Sequence, residues 1–174
     1  MLGSASRGTS KAGPEKQQRT ARGAGMESHF AKIRVLLIDR TPQGKNALRG
    51  IVTSLGIRKL EMRHDAVMAL QLLRKEAFDV VFCDEWLEPM SAESFVKVLR
   101  HDVRSCDMSV PVLLVTTGAN HKHVERVREA GVSDILVKPV SAEIVRRKLE
   151  AHLCRGAGFA GIGQYLTAER RKIA

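Results

Sequence analysis

Four polar residues stand at the ends of four apolar runs in this chain. Asp39 ends VLLID, Asp84 ends DVVFCD, Thr116 lies near the end of PVLLVTT, and Lys138 follows DILV. A strand buried on both faces gains nothing from a terminal carboxylate. A single carboxylate or hydroxyl there could cap the next helix, but that reading suits a set of four poorly. Together the four side chains have the chemistry of phosphoryl transfer. One carboxylate attacks phosphorus. A divalent cation and a fixed cation neutralise charge on the transferred oxygens. A hydroxyl then hydrogen-bonds a phosphoryl oxygen and reports its presence. Asp84 is the best nucleophile, because it lies centrally among the strand ends. Lys138 precedes Pro139, so an extended backbone is expected there, aiming the ammonium back at the pocket.

The elements that would position these residues are legible in the pattern. VLLID, DVVFCD and PVLLVTT are continuous apolar runs, as strands covered on both faces require. Residues 59–63 form a weaker second strand, and residues 134–137 a fifth. Between them lie helical stretches. Thr41-Pro42 opens one that carries Leu48, Ile51, Val52 and Leu55 and is closed by Gly56. Asp65 caps a second, with Val67, Leu70 and Leu73. Ser91 caps a third, with Phe95, Val98 and Leu99. Residues 121–130 form a fourth, stopped by Gly131, and Ser141 caps a fifth, with Ile144, Val145 and Leu149. Five strands alternating with five helices predict parallel βαβ units in an α/β three-layer sandwich. Ligands of such sheets bind beyond the carboxyl ends of the strands, where the four polar residues fall.

The chain has 174 residues, 44% of them apolar, which suits one domain with tails. Its net charge of +10 sits more than half in residues 1–30 and 151–174. Charge in such arms attracts polyanions without specificity, so a solvated arm is expected and a nucleic-acid role is not. Residues 1–30 lack periodicity and are expected to be a disordered basic extension. Met26 opens a more conventional start within them. Cys83, Cys106 and Cys154 lack metal-ligand spacing and read as free thiols in a reducing cytoplasm. No apolar run approaches the length of a membrane span, and there is no signal-peptide block. No GxxxxGK loop is present, which disfavours a nucleotide hydrolase.

Over residues 33–153 the sequence resembles the response-regulator receiver family, with the doubly wound, flavodoxin-like fold of the chemotaxis response regulator (strand order 2-1-3-4-5). VLLID matches the first acidic strand, DVVFCD the acceptor strand, PVLLVTT the switch strand, and AGVSDILVKP the lysine strand. DEWLEPM and the tail QYLTAERRK also resemble alphaproteobacterial single-domain receivers. The resemblance implies a receiver domain over residues 31–153, followed by a basic tail over 154–174. It implies Asp84 as phosphoacceptor, Asp39 as acidic-pocket residue, Thr116 as switch hydroxyl and Lys138 as phosphate-contacting cation. Mg²⁺ would be held by Asp39, Asp84 and the Trp86 backbone carbonyl. A histidine kinase or histidine phosphotransfer protein would be the donor. The implied function is a phosphorelay switch, not a metabolic enzyme. Its partner would bind the face formed by the fourth helix, fifth strand and fifth helix.

Several residues depart from the family pattern. Arg40 replaces an acid that normally ligates the metal directly, bringing the formal charge of Asp39, Asp84, Arg40 and Lys138 to zero. It could face solvent and leave a weakened metal site, pair with Asp84 in place of the metal, or lock one signalling state. A guanidinium about 4 Å from a carboxylate is worth a few kcal/mol at intermediate dielectric. The alternative function is therefore a degenerate receiver that binds its partner without phosphorylation. Glu88 could supply a replacement carboxylate, although a loop glutamate is expected to face water. Ile135 stands where an aromatic switch residue is common, so coupling from Thr116 is expected to be weak or rerouted. Trp86 and Gly118 offer no carboxylate or amide to orient hydrolytic water, so slow self-dephosphorylation is expected. Cys83 is expected to point into the core, and His121 and His123 to be solvated.

Overall fold

Five short strands form one parallel sheet in the order β2-β1-β3-β4-β5. They are β1 (Arg34–Ile38), β2 (Lys59–Arg63), β3 (Val80–Asp84), β4 (Val112–Thr116) and β5 (Asp134–Val137). Helices α1 (Pro42–Ser54), α2 (Ala66–Leu73), α3 (Ala92–His101), α4 (His121–Glu129) and α5 (Ala142–Leu153) alternate with them. The structure, a computed structural model, describes residues 30–118 and 120–153. Of the expected extension over residues 1–30 only Phe30 is described, and it is buried in the core; the rest of it, with Met26, and the tail from Cys154 lie outside the described residues. This is the doubly wound, flavodoxin-like architecture expected from the sequence.

Of the three inner strands, β3 and β4 are buried at every residue and β1 at every residue but Arg34. Their side chains alternate between two cores, which is why the runs are apolar without a polar phase. On one face Leu36, Ile38, Val81, Cys83, Val112 and Leu114 pack with Leu73 of α2, Phe95 and Leu99 of α3 and Val127 of α4. On the other, Val35, Leu37, Val80, Phe82 and Leu113 pack with Leu48 and Val52 of α1 and Val145 and Leu149 of α5. The edge strand β2 carries only half-buried and exposed residues, which explains its weaker pattern.

Local signals set where each helix begins. The Thr41 hydroxyl accepts from the Gly44 amide at 3.1 Å, with Pro42 at the first helical position. Asp65 accepts from the Met68 amide at 2.7 Å and Ser91 from the Ser94 amide at 3.2 Å. Asn120, which the sequence pattern did not single out, caps α4 through the His123 amide at 2.9 Å. Gly56 and Gly131 end α1 and α4 with φ of 87° and 95°, a conformation costly for any residue with a Cβ.

Candidate functional site

The parallel register places the four strand endings on one edge. Ile38 pairs with Cys83, Asp84 with Val115, and Thr116 with Val137. Asp39 and Lys138 thus each lie one residue beyond a paired position. Backbone bonds hold these endings in place: the Lys138 amide donates to the Thr116 carbonyl at 2.8 Å, and the Glu85 amide to the Val115 carbonyl at 2.9 Å. Asp39, Asp84 and Thr116 are almost fully buried, with 1%, 4% and 1% of their surface exposed.

Lys138 Nζ reaches Asp84 Oδ1 at 2.6 Å, while the Trp86 amide donates to Asp84 Oδ2 at 3.1 Å. A buried carboxylate needs such partners to stay ionised. The peptide linking Lys138 to Pro139 is cis. Asp39 Oδ1 accepts from the Thr41 amide at 2.7 Å and from the Thr41 hydroxyl at 2.8 Å. Asp39 Oδ2 is buried and accepts no hydrogen bond. It faces Gly44, where a Cβ would collide with it and stand 2.6 Å from Asp39 Cγ.

Arg40 takes none of the roles inside the pocket. It donates from Nη1 to Glu88 Oε1 across the mouth, with half of its side chain exposed. The glutamate considered as a replacement metal ligand is therefore spent on the arginine. With Arg40 answered by Glu88, the inner set is Asp39 and Asp84 against Lys138, a formal charge of −1 where zero was expected. Cys83 records this field. Burial first, then the charges of Asp84 and Asp39, push its thiol far above the usual range. It points into the core as expected.

Two residues of the site escaped the sequence pattern. Thr116 Oγ1 donates to Glu85 Oε2 and also lies 2.8 Å from the Gly118 carbonyl. Glu85 Oε1 in turn stands 3.3 Å from His123 Nε2. His123 is buried, 8% exposed, against the expectation that it is solvated, because its α4 turn packs over the β3–α3 loop. His121 does face solvent, beside Glu125. The signal that could have found His123 was its place after Asn120 in the first turn of a helix bordering the pocket.

The donor set is compatible with a divalent cation in a limited way. Among the described residues no group of three or more His, Cys, Asp or Glu side chains is disposed to hold a metal. Two carboxylates remain, one with an unused buried oxygen. Mg²⁺ commonly takes only one or two carboxylates together with phosphate oxygens and water. No helix among the described residues is long and apolar enough to cross a membrane.

Residues 35–150 match the model of the response regulator receiver domain. Chemotaxis protein CheY-3 of Vibrio cholerae serotype O1 is 26% identical over 118 residues, which cover 68% of this chain and 89% of that protein. A CheY homolog of Campylobacter jejuni is 28% identical over 127 residues, covering 72% and 96%. Among solved structures, the chemotaxis response regulator CheY4 of Vibrio cholerae superposes with a TM-score of 0.62 at 25% identity, covering 70% of this chain and 98% of that one. The receiver domain of sensor histidine kinase PA1611 from Pseudomonas aeruginosa, solved with magnesium in its active-site cleft, shares the fold with a TM-score of 0.62 at 22% identity, covering 69% and 96%. With this match over two thirds of its length, the chain belongs to the family of response regulator receiver domains.

Proposed function

We propose that this receiver accepts a phosphoryl group on Asp84 and thereby switches the binding of a protein partner. The observation that carries this reading is the Lys138–Asp84 contact of 2.6 Å around a carboxylate that is 4% exposed. A carboxylate oxygen of Asp84 attacks phosphorus, and the bond from phosphorus to the donor's imidazole nitrogen breaks. The imidazole leaves toward its histidine kinase or histidine phosphotransfer protein. Lys138 neutralises charge gathering on the phosphoryl oxygens. Asp39 Oδ2, Asp84 and the Trp86 carbonyl would hold Mg²⁺, which supplies further charge neutralisation when bound. Arg40 would weaken that binding without abolishing it. The Arg40–Glu88 pairing speaks against the phosphorylation-independent alternative, since the guanidinium does not occupy the place of the phosphoryl group.

The partner surface would be the α4–β5–α5 face. A hollow of about 280 Å³ on the α4–β5 part of that face is lined by Val124, Val127, Val132, Ile135 and Val137, with Arg128, Ser133 and Asp134. Val137 is half exposed, as a docking surface needs. Trp86 and Gly118 bring no group that orients water, so the phosphoryl group would be lost slowly.

Trp86 is the chain's one tryptophan, two residues from Asp84 and largely exposed. Its fluorescence is expected to change on adding Mg²⁺, and again on adding acetyl phosphate. A spectrum unmoved by both would count against the reading.

A further inference from the structure

Beside the acceptor lies a hydrogen-bond arrangement that is complete at one end and open at the other. The Thr116 hydroxyl has a single proton, which Glu85 Oε2 and the Gly118 carbonyl both face as acceptors. The same carboxylate presents Oε1 to His123 Nε2 at 3.3 Å, yet that buried nitrogen makes no hydrogen bond. Its protonation follows from its other side. Arg126 Nη2 approaches His123 Nδ1 at 3.5 Å, and a guanidinium can only donate. Nδ1 is therefore the acceptor and Nε2 carries the hydrogen. Arg126 also reaches Glu93 Oε1 of α3 at 3.2 Å. The first two turns of α4 are thus tied to the β3–α3 segment through His123 and Arg126.

We infer that Glu85 is a positioning residue that relays occupancy of the acceptor site to α4 through His123. The inference rests on Asp84 being the phosphoacceptor. A phosphoryl oxygen on Asp84 would compete with Glu85 and the Gly118 carbonyl for the one Thr116 proton. Once Thr116 turns to the phosphoryl group, Glu85 loses its donor and is repelled by the new negative charge. His123 Nε2–H is the unused buried donor beside it. Closing that 3.3 Å contact into a hydrogen bond pulls on the first turn of α4, at the edge of the proposed partner face. Ile135, apolar and packed against the core, has no hydrogen-bonding side-chain group with which to carry the signal through β5. The Glu85–His123 route carries it from the other side.

The test uses the full chain with Mg²⁺ and acetyl phosphate, comparing the wild type with Glu85→Ala, Glu85→Gln and His123→Leu. Intact mass reads the adduct, and amide NMR shifts of His121–Val124 read α4. The relay predicts an adduct in all four proteins. It also predicts α4 shifts in the wild type that fall at least severalfold in Glu85→Ala and His123→Leu. Glu85→Gln keeps an acceptor for Thr116 and should fold if the alanine variant does not. It should retain a reduced α4 response. Full α4 shifts in Glu85→Ala or His123→Leu, with the adduct present, would overturn the relay and leave the acceptor assignment standing. No adduct on the wild type would overturn both.

Discussion

Arg40, the residue after the buried carboxylate of Asp39, pairs with Glu88 across the mouth of the pocket, while the cation that reaches Asp84 is Lys138. The charge expected to spoil the site is thus held outside it and exposed to solvent. An exposed pair of this kind contributes about 0–1 kcal/mol to stability and is screened by salt. Its effect on a bound cation is longer-ranged than its effect on the fold. Arg40→Asp should tighten Mg²⁺ binding about tenfold, or ~1.4 kcal/mol, read from Trp86 fluorescence at low ionic strength. An unchanged Mg²⁺ affinity would show that Arg40 does not set the strength of the site.

Gly44 gives Asp39 its room. Gly44→Ala places a methyl group against Asp39 Oδ2 and 2.6 Å from Cγ. Something must shift, at a cost of about 1–3 kcal/mol. The expected outcome is a lower melting temperature together with a weaker Mg²⁺ response. Gly50→Ala, in the same helix with nothing within 4 Å of the added carbon, serves as the control: helix propensity should raise its melting temperature slightly, and its Mg²⁺ response should be unchanged. Equal behaviour of the two variants would refute the crowding at Asp39.

The junction of β5 and α5 makes the fold acid-sensitive at one identifiable place. Burial pushes the Asp134 carboxyl up, but hydrogen bonds from Lys148 at 2.6 Å, His152 at 3.0 Å and the Ile135 amide outweigh it. The net result holds Asp134 below its ordinary value of 3.8. Its contribution to stability is therefore present above that pH and is lost as pH falls through the lower, folded-state value. Asp134→Asn should lower the melting temperature at neutral pH and flatten its decline below about pH 4. Parallel melting curves for the two proteins across that range would contradict the assignment.

Cys83 sits fully buried between the site and the core, with its thiol held protonated by burial and by Asp84 and Asp39. Only a thiolate alkylates readily. Peptide mapping after iodoacetamide treatment at pH 8 should find Cys83 unmodified in the native chain and modified in denaturant. Prompt native labelling would place Cys83 elsewhere.

The alternation of five strands with five helices, the helix caps at Thr41, Asp65 and Ser91, and the collection of Asp39, Asp84, Thr116 and Lys138 at one edge were legible from local pattern, while the sheet order followed from the family resemblance. Continuous apolar runs announce strands covered on both faces, and small polar residues announce helix starts. What was not legible depends on which loops meet. Nothing near Arg40 in sequence points to Glu88, 48 positions away. His123 carries no apolar signal, yet it is buried because α4 lies against Glu85. The cis link at Lys138–Pro139 depends on how the strand end meets its surroundings, which the dipeptide alone does not encode.

The central claim is that Asp84 takes the phosphoryl group. Its most direct test is the intact mass of the full chain after incubation with Mg²⁺ and acetyl phosphate, with Asp84→Asn alongside. The account predicts one phosphoryl adduct that requires Mg²⁺ and is missing from the variant. A folded wild-type chain that gains no adduct, or an adduct that persists in Asp84→Asn, would contradict it.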